Sequence, residues 1–516
     1  MEYLLPEKLS LLSLRDSLRG FAPFAEDPPR EGCLRYFDSF DWRLFRQGLT
    51  LEEETTDGSS FLQLRRLGNG SVPGSVGGQA PDFAEDLPSG AFRDTLKTIL
   101  ENRRLFPLVE VRGLFRHCSL LDDQEKTVAR LTILEQLVAA AEQSEGWRLP
   151  SRLRSAPVRG YDRELRKLDR FLQTGLGLEP APEDLWHSIM LSVGRSPGDY
   201  SAKPDFRFDP AQPAGEAVRA ILAQLLATLE RNLDGTRRDL DSEFLHDFRV
   251  AIRRTRAALG QLKDLLPAMV VERFRPEFAW LGTITSPVRD LDVHLLGFDG
   301  YRNLLPPEPA DDLAPLHERL LAHQRTAQRQ LAEELASPRF RKVLADWRAW
   351  LAKPPFADGS WPQSAALPLA KAANAHIRRS FRRVLREGAV ITDGSPPEEF
   401  HELRKSCKKL RYLLEFFQSL YPRDKISPLI RSLKELQENL GEFQDLEVHA
   451  QALRALAMMP EAPPSLPPET LLAIGQLSER LRERQRQVRA EFAARFGAFA
   501  APGNLRPVRK LFRKEP

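Results

Sequence analysis

Between residues 1 and 200 the apolar positions come in short runs, Leu49–Leu51, Phe61–Leu64, Leu108–Leu114 and Val128–Leu134. Gly/Ser/Asp-rich breaks at Thr56–Ser60 and Gly68–Gly78 interrupt them, and runs of this length bounded by turn residues predict strands. Two stretches of the same region, around Ser89–Leu105 and Tyr161–Leu176, carry a helical period instead. The segment Ser196–Gly215, rich in Pro, Asp and Gly, predicts a linker, which we place at 201–213. Beyond it the texture changes to long Leu/Ala/Arg/Glu/Gln stretches of helical period, separated mostly by Pro and Gly. They run over Ala217–Asn232, Glu243–Leu266, Val271–Gly282, Leu313–Leu335, Pro338–Leu351, Leu367–Glu387, Pro397–Leu420, Leu429–Leu456 and Pro468–Phe496. Amphipathic stretches of that length predict an all-α bundle held by packing.

Composition narrows the class. A chain of 516 residues is too long for one ordinary core, and 42% hydrophobic residues are too many for a disordered one. Cys33, Cys118 and Cys407 lie far apart, which excludes a disulfide scaffold or a thiolate zinc site and fits a reducing compartment. No apolar run approaches the ~20 residues of a membrane span. The start MEYLLPEKLSLLSL has acidic residues before its apolar stretch and no small-residue cleavage site, so it does not read as a signal peptide. A cytoplasmic protein without membrane attachment is expected.

The net charge of +4 hides an asymmetry. Of 76 Lys+Arg and 72 Asp+Glu, residues 211–516 hold 48 and 39, which leaves 28 and 33 for residues 1–210. A polyanion would therefore find its partner in the second part.

That part repeats itself. HDFRVAIRRTR (246–256) aligns with HELRKSCKKLR (401–411) at an offset of 155, pairing His246 with His401, Arg249 with Arg404, Arg253 with Lys408, Arg254 with Lys409 and Arg256 with Arg411. The same offset carries Leu265 and Pro267 onto Leu420 and Pro422, and RDLDVH (289–294) onto QDLEVH (444–449). The Leu-Gly pairs at 281–282 and 440–441 are 159 apart, so the register differs locally. At about 100° per residue, His246, Arg249, Arg253 and Arg256 fall within a stripe about 80° wide, with Arg254 off to the side. The second copy gives His401, Arg404, Lys408 and Arg411 the same geometry, with Lys409 off the stripe. On the preceding helix Lys371, Arg378 and Arg382 share a face, with Arg379, Arg383 and Arg386 beside it.

A charge stripe is often only a solvated face, but such faces intersperse Glu with Lys at i,i+4, and this one places cations at those spacings twice. Asp290, Asp292, Asp445 and Glu447 could neutralise part of it, with Asp290/His294 and Asp445/His449 as i,i+4 pairs. The natural complement of the remainder is a linear polyanion, gripped by Arg forks and Lys point charges.

These residues resemble the conserved histidine α-helical domain (CHAD) family over roughly 212–510. The resemblance implies a duplicated bundle, with half-repeats at about 214–360 and 366–510, that binds inorganic polyphosphate along a basic face or channel without catalysis. Carried over by position, the ligands would be His246, Arg249, Arg253, Arg254, Arg256, His401, Arg404, Lys408, Lys409, Arg411 and Tyr412, to which the basic helix adds Arg378 and Arg382. Residues 1–200 resemble a worn CYTH domain, the triphosphate-tunnel fold, through RYFDSFDWRLFRQGLTLEEE (35–54), FLQLRRL (61–67), LVEVRGLFRHCSLLD (108–122) and VARLTIL (128–134). That family opens with a Glu-x-Glu-x-Lys strand, whereas Glu2 and Glu7 are five apart and cannot share one strand face in that way. Where the family has its Leu-Arg-x-Arg cradle this chain has Leu51-Glu52-Glu53-Glu54, and RLPSRLRSAPVRGY (148–161) is basic where a later acidic pair belongs. Loss of metal-dependent triphosphate hydrolysis is expected.

Other chemistry finds less support. No nucleotide-binding, nucleophile-elbow or HExxH motif is present. The run GNGSVPGSVGG (68–78) reads as a loop, Cys407 as a packed side chain, and His294 and His449 as ion-paired rather than metal-bound. Of the basic helices' aromatics only Tyr412 interleaves the cations, which argues against nucleic acid. The expectation is an α+β two-domain chain: a degenerate tunnel-like antiparallel β domain (1–200), then an all-α duplicated bundle (214–510). It would bind polyphosphate with no cofactor or metal and could localise to polyphosphate granules. A triphosphatase in the first domain, or an adaptor for acidic protein or RNA, are the alternatives; oligomeric state is left open.

Overall fold

Leu34 and Tyr36 on one strand and Val109 and Val111 on its neighbour alternate with Arg35 and Glu110, a period of two that puts apolar side chains on one sheet face and an ion pair on the other. The computed structural model describes residues 1–512 except 69, 141–145, 193, 195, 358 and 459–465. The chain divides into two units, Met1–Ala202 and Lys203–Pro516.

The first unit holds strands β1 (Glu2–Leu4), β2 (Phe24–Glu26), β3 (Arg30–Ser39), β4 (Leu49–Thr56), β5 (Ser59–Arg66), β6 (Gly74–Gly77), β7 (Leu105–Leu121), β8 (Thr127–Ala140), β9 (Trp147–Arg148) and β10 (Arg152–Pro157). Helices α1 (Leu11–Phe21), α2 (Arg43–Arg46), α3 (Ala91–Leu100), α4 (Asp162–Arg170) and α5 (Leu185–Ser192) accompany them. The strands form one antiparallel sheet in the order β1-β10-β8-β7-β3-β4-β5-β6, with β2 added on β7 and β9 on β8. Four steps separate β10 from β4, about 19 Å in a flat sheet. Yet Arg154 Nη1 of β10 lies 3.1 Å from Glu52 Oε2 of β4, so the sheet curls on itself. Into the concave side α5 inserts Leu185, Trp186, Ile189 and Met190, buried against Tyr36, Val109 and Val111.

The strand runs are found as expected, and the two helical stretches shrink to α3 and to α4 with its π-helical extension Phe171–Gly175. Glu101, at φ 50°, ends α3, and Leu105 already opens β7. The glycine-rich run expected as a loop contributes Gly74–Gly77 to the sheet, while residue 69 of that run lies outside the described residues. Helices α1, α2 and α5 lie outside the expected helical stretches.

The second unit is helical: α6 (Ala214–Arg238), α7 (Ser242–Gln261), α8 (Ala268–Ile284), α9 (Ser286–Leu296), α10 (Phe298–Asn303), α11 (Pro307–Asp311), α12 (Ala314–Ala336) and α13 (Pro338–Ala352). The second half continues with α14 (Leu369–Ala389), α15 (Pro397–Phe417), α16 (Arg423–Ala457), α17 (Pro468–Phe499) and α18 (Pro502–Leu511). The nine expected helices are all present. The starts of α6, α7 and α8 lie 155 residues before those of α14, α15 and α16, so the duplication is structural. Local signals set these starts: the Asp241 side chain accepts from the Glu243 and Phe244 N–H groups, and Pro267 and Pro422 precede α8 and α16. The copies differ after that. The first breaks at Thr285 into α8 and α9, with Pro287 in the opening turn of α9, whereas α16 runs unbroken through the equivalent region. One core spans both halves, with Phe248, Phe278 and Trp347 beside Phe400, Phe416 and Phe417.

Repeat partners meet on a pseudo-twofold axis. Ala214 N–H donates to the Leu367 carbonyl at 2.9 Å, and Leu369 N–H donates to the Gln212 carbonyl at 2.8 Å, a reciprocal pair about the Pro213–Pro368 bridge. Elsewhere on the axis the rings of His294 and His449 lie 4.6 Å apart. Among the described residues no helix is long and apolar enough to cross a membrane.

Candidate anion site of the helical unit

The basic helices α7 and α15 pack on one another, and their stripes share one pocket. This cavity of about 310 Å³ is lined by Arg249, Arg253, Arg289, Arg404 and Lys408, with Asp290, Asp445, His294 and His449 completing most of its wall. The lining consists of repeat pairs with two exceptions: His246 is there without His401, and Arg289 stands where the other copy has Gln444. A larger groove of about 1340 Å³ is lined by Arg256, Arg378, Arg379, Arg382, Arg383, Arg386, Lys405, Lys409 and Tyr412, together with Lys263 and Arg275. Arg253 and Lys408 border both cavities.

Crowding of like charges leaves its mark on these side chains. Burial, then Arg404 and Arg253, push the Lys408 ammonium down to about 8. Burial and Arg253 bring Arg249 to about 10, and burial, with Arg289 and Arg411 nearby, lowers Arg253. Arg253 Nε and Arg289 Nη1 are buried without a hydrogen-bond partner among the described residues. Such an array is costly until an anion enters it.

The stripe is partly relieved, as the sequence reading expects, but by one of the four carboxylates it named and by Glu415, which it did not. Arg404 pairs with Asp445 at 3.0 Å, and Glu415 holds both Arg254, at 3.0 Å, and Arg411, at 3.3 Å. Neither Arg254 nor Arg411 lines either cavity. The exposed His401 has Nδ1 2.9 Å from Gln444 Oε1. Of the four carboxylates expected to neutralise the stripe, only Asp445 reaches a cation on it. Asp292 accepts from Gln324 of α12 at 3.2 Å, and Glu447 from Gln451 at 3.4 Å. Asp290 makes no ion pair among the described residues, although it sits within the field of Arg249.

His294 and His449 are not ion-paired helix-surface groups either. Each places Nδ1 2.9 Å from the Tyr301 hydroxyl, and burial pushes His294 down to about 4, helped by His449. Burial also lowers His449, against the pull of Asp445 and Asp290. Among the described residues no cluster of three or more His, Cys, Asp or Glu side chains is arranged to hold a metal ion. Cys407 is fully buried, as expected of a packed side chain.

The glycines offset by 159 serve different rungs of the ladder. A Cβ at Gly282 would come within 2.6 Å of Arg256 Nη1, whereas at Gly441 it would sit 3.4 Å from Arg404 Nη2. Arg289, Lys263, Arg275 and Lys405 escaped the sequence reading. Arg289 was detectable, since it is the one position where the recurring hexapeptide exchanges a cation for a neutral residue.

In the first unit the expected charge reversals turn out to be complementary. Glu2 of β1 receives Arg152 and Arg154 of β10 at 3.1 and 2.9 Å, and Glu52 of β4 receives Arg154 and Arg65 of β5 at 3.1 and 3.0 Å. Burial would raise the Glu2 carboxyl, but Arg154 and Arg152 hold it below the usual carboxylate range. Glu2 also accepts the Leu185 N–H at the start of α5, at 2.8 Å. Glu7 lies outside β1.

No curated protein matches the chain. Among solved structures it is similar to the CHAD domain from the plant Ricinus communis, at 24% identity and TM-score 0.44, covering 61% of this chain and 96% of that one. PptA from Streptomyces chartreusis is similar at 20% identity and TM-score 0.44, covering 55% and 99%. A protein from Pyrococcus horikoshii is similar at 12% identity and TM-score 0.23, covering 37% and 97%. Residues 220–454, from within α6 to within α16, match the CHAD domain family.

Proposed function

We propose that the helical unit binds inorganic polyphosphate, without catalysis, in a basic channel that runs from the axial pocket into the larger groove. The observation that carries this reading is the pair of cation-lined cavities that both have Arg253 and Lys408 in their walls. An extended chain of phosphoryl groups can follow such a path, taking bidentate bonds from Arg forks and point charges from Lys. His246, Arg249, Arg253, Arg256, Arg378, Arg382, Arg404, Lys408 and Lys409 line it; Arg254 and Arg411 act at one remove through Glu415. A base-reading role is disfavoured because Tyr412 is buried and stacks by Arg411, its guanidinium carbon 5.7 Å from the ring centre.

Labelled long-chain polyphosphate, RNA and orthophosphate, compared by anisotropy at about 50 and 200 mM salt, test this reading. Polyphosphate should bind tightest, with steep salt dependence; equal affinity for RNA overturns the specificity. The reading also includes recruitment to polyphosphate granules in the cytoplasm, checked by imaging a fluorescent fusion of the full chain. For the first unit we propose that triphosphate is not hydrolysed, because Glu2 and Glu52 are engaged by arginines. Phosphate release from tripolyphosphate by the full chain with Mg²⁺ or Mn²⁺, abolished by chelator, would overturn that part.

A further inference from the structure

The repeat pairs of the axial pocket differ in what they already touch. Arg249 gives Nη1 only to neutral oxygens: the Thr285 hydroxyl at 2.7 Å, and the Ser286 hydroxyl and Gly282 carbonyl at 3.2 Å each. Its partner Arg404 spends two nitrogens on Asp445, at 3.0 and 3.5 Å. Arg289 adds a cation that the second copy lacks, since Gln444 replaces it and turns to His401. The first half thus brings three cations to the pocket and the second brings two, one of them already matched by a carboxylate.

We infer, on the polyphosphate reading above, that the first half-repeat carries most of the anion's binding, and that Asp445 is a built-in counter-anion which the ligand must displace before Arg404 can join. A phosphoryl oxygen arriving at Arg249 replaces a neutral acceptor with a charged one, a net gain. At Arg404 one anion replaces another, and the gain is limited to the difference between them. Asp445 is more than half exposed, so once displaced it returns to water at little cost. Short chains are therefore held by Arg249, Arg253 and Arg289, and the second half contributes chiefly to long ones.

The test is the affinity of the full chain for labelled long-chain polyphosphate, with tripolyphosphate as competitor. Arg249→Gln should weaken binding about tenfold, Arg404→Gln about twofold, and Asp445→Asn should tighten it several-fold. Because Arg249 also ties α7 to the α8–α9 break, Arg289→Gln serves as the second variant, with a loss larger than that of Arg404→Gln. Gln444→Arg, which restores the missing cation, should tighten binding. An equal or greater loss in Arg404→Gln than in both Arg249→Gln and Arg289→Gln overturns the inference, as does unchanged or weakened binding in Asp445→Asn. A wild-type chain that fails to bind polyphosphate overturns the underlying reading instead.

Discussion

The concave side of the sheet and the axial pocket of the bundle are both rich in arginine, and they use it in opposite ways. In the sheet Arg152, Glu2, Arg154, Glu52 and Arg65 form a line of alternating ion pairs, each within 3.1 Å, and α5 packs beside them, with a cavity of about 450 Å³ left against Glu2, Glu52, Arg65 and Arg154. In the bundle five cations face two carboxylates, and three guanidinium nitrogens, Arg253 Nε, Arg289 Nη1 and Arg404 Nε, find no acceptor among the described residues. The difference teaches that arginine content alone says little about anion binding. What matters is whether the fold supplies the counter-charge itself.

Exchanging the two balances is the strongest way to break that contrast. Arg253→Glu with Lys408→Glu, in the walls of both cavities, should cost more than about a hundredfold in polyphosphate affinity, with no loss in thermal stability, because it relieves like-charge crowding. Unchanged affinity would favour docking of an acidic protein over polyphosphate. In the sheet, Arg154→Met should lower the stability of the first unit by about 3 kcal/mol in urea unfolding, since it strips charge partners from both Glu2 and Glu52, and should leave polyphosphate affinity untouched. A smaller effect separates the regions by pH. The Lys408 ammonium titrates at about 8, below its ordinary 10.5, and only the charged form attracts the anion. Affinity is therefore full below pH 8 and falls several-fold as pH rises past it; Lys408→Arg should flatten that profile. Smallest of all, Tyr301→Phe should cost about 1–2 kcal/mol by leaving two histidine nitrogens without their shared partner.

Much of the bundle was legible because one offset governs it. Residues 155 apart start equivalent helices, so a match in HxxR spacing also fixed the neighbouring elements. The break at Thr285 was not anticipated, although Ser286-Pro287 is a helix-start signature, because the aligned copy continues straight through. Glu415 could have been foreseen as a partner of Arg411, four residues earlier on the same helix. Its hold on Arg254 could not, since that contact crosses between α15 and α7. The histidine node was misread for a related reason. Helical geometry placed His294 near Asp290, but Tyr301 lies outside the repeat, and ring contact across a symmetry axis leaves no trace in spacing. In the first unit the reversed charges were visible one strand at a time. That they cancel became visible only once the sheet curled to bring β10 to β4.

The shared tyrosine has a consequence for the symmetry itself. A hydroxyl owns a single hydrogen, yet Tyr301 bonds Nδ1 of two neutral imidazoles. One ring must accept that hydrogen while the other lends its own to the phenolic oxygen, so the two histidines are opposite tautomers. The duplicated halves, alike in backbone at this point, are told apart by where one proton resides.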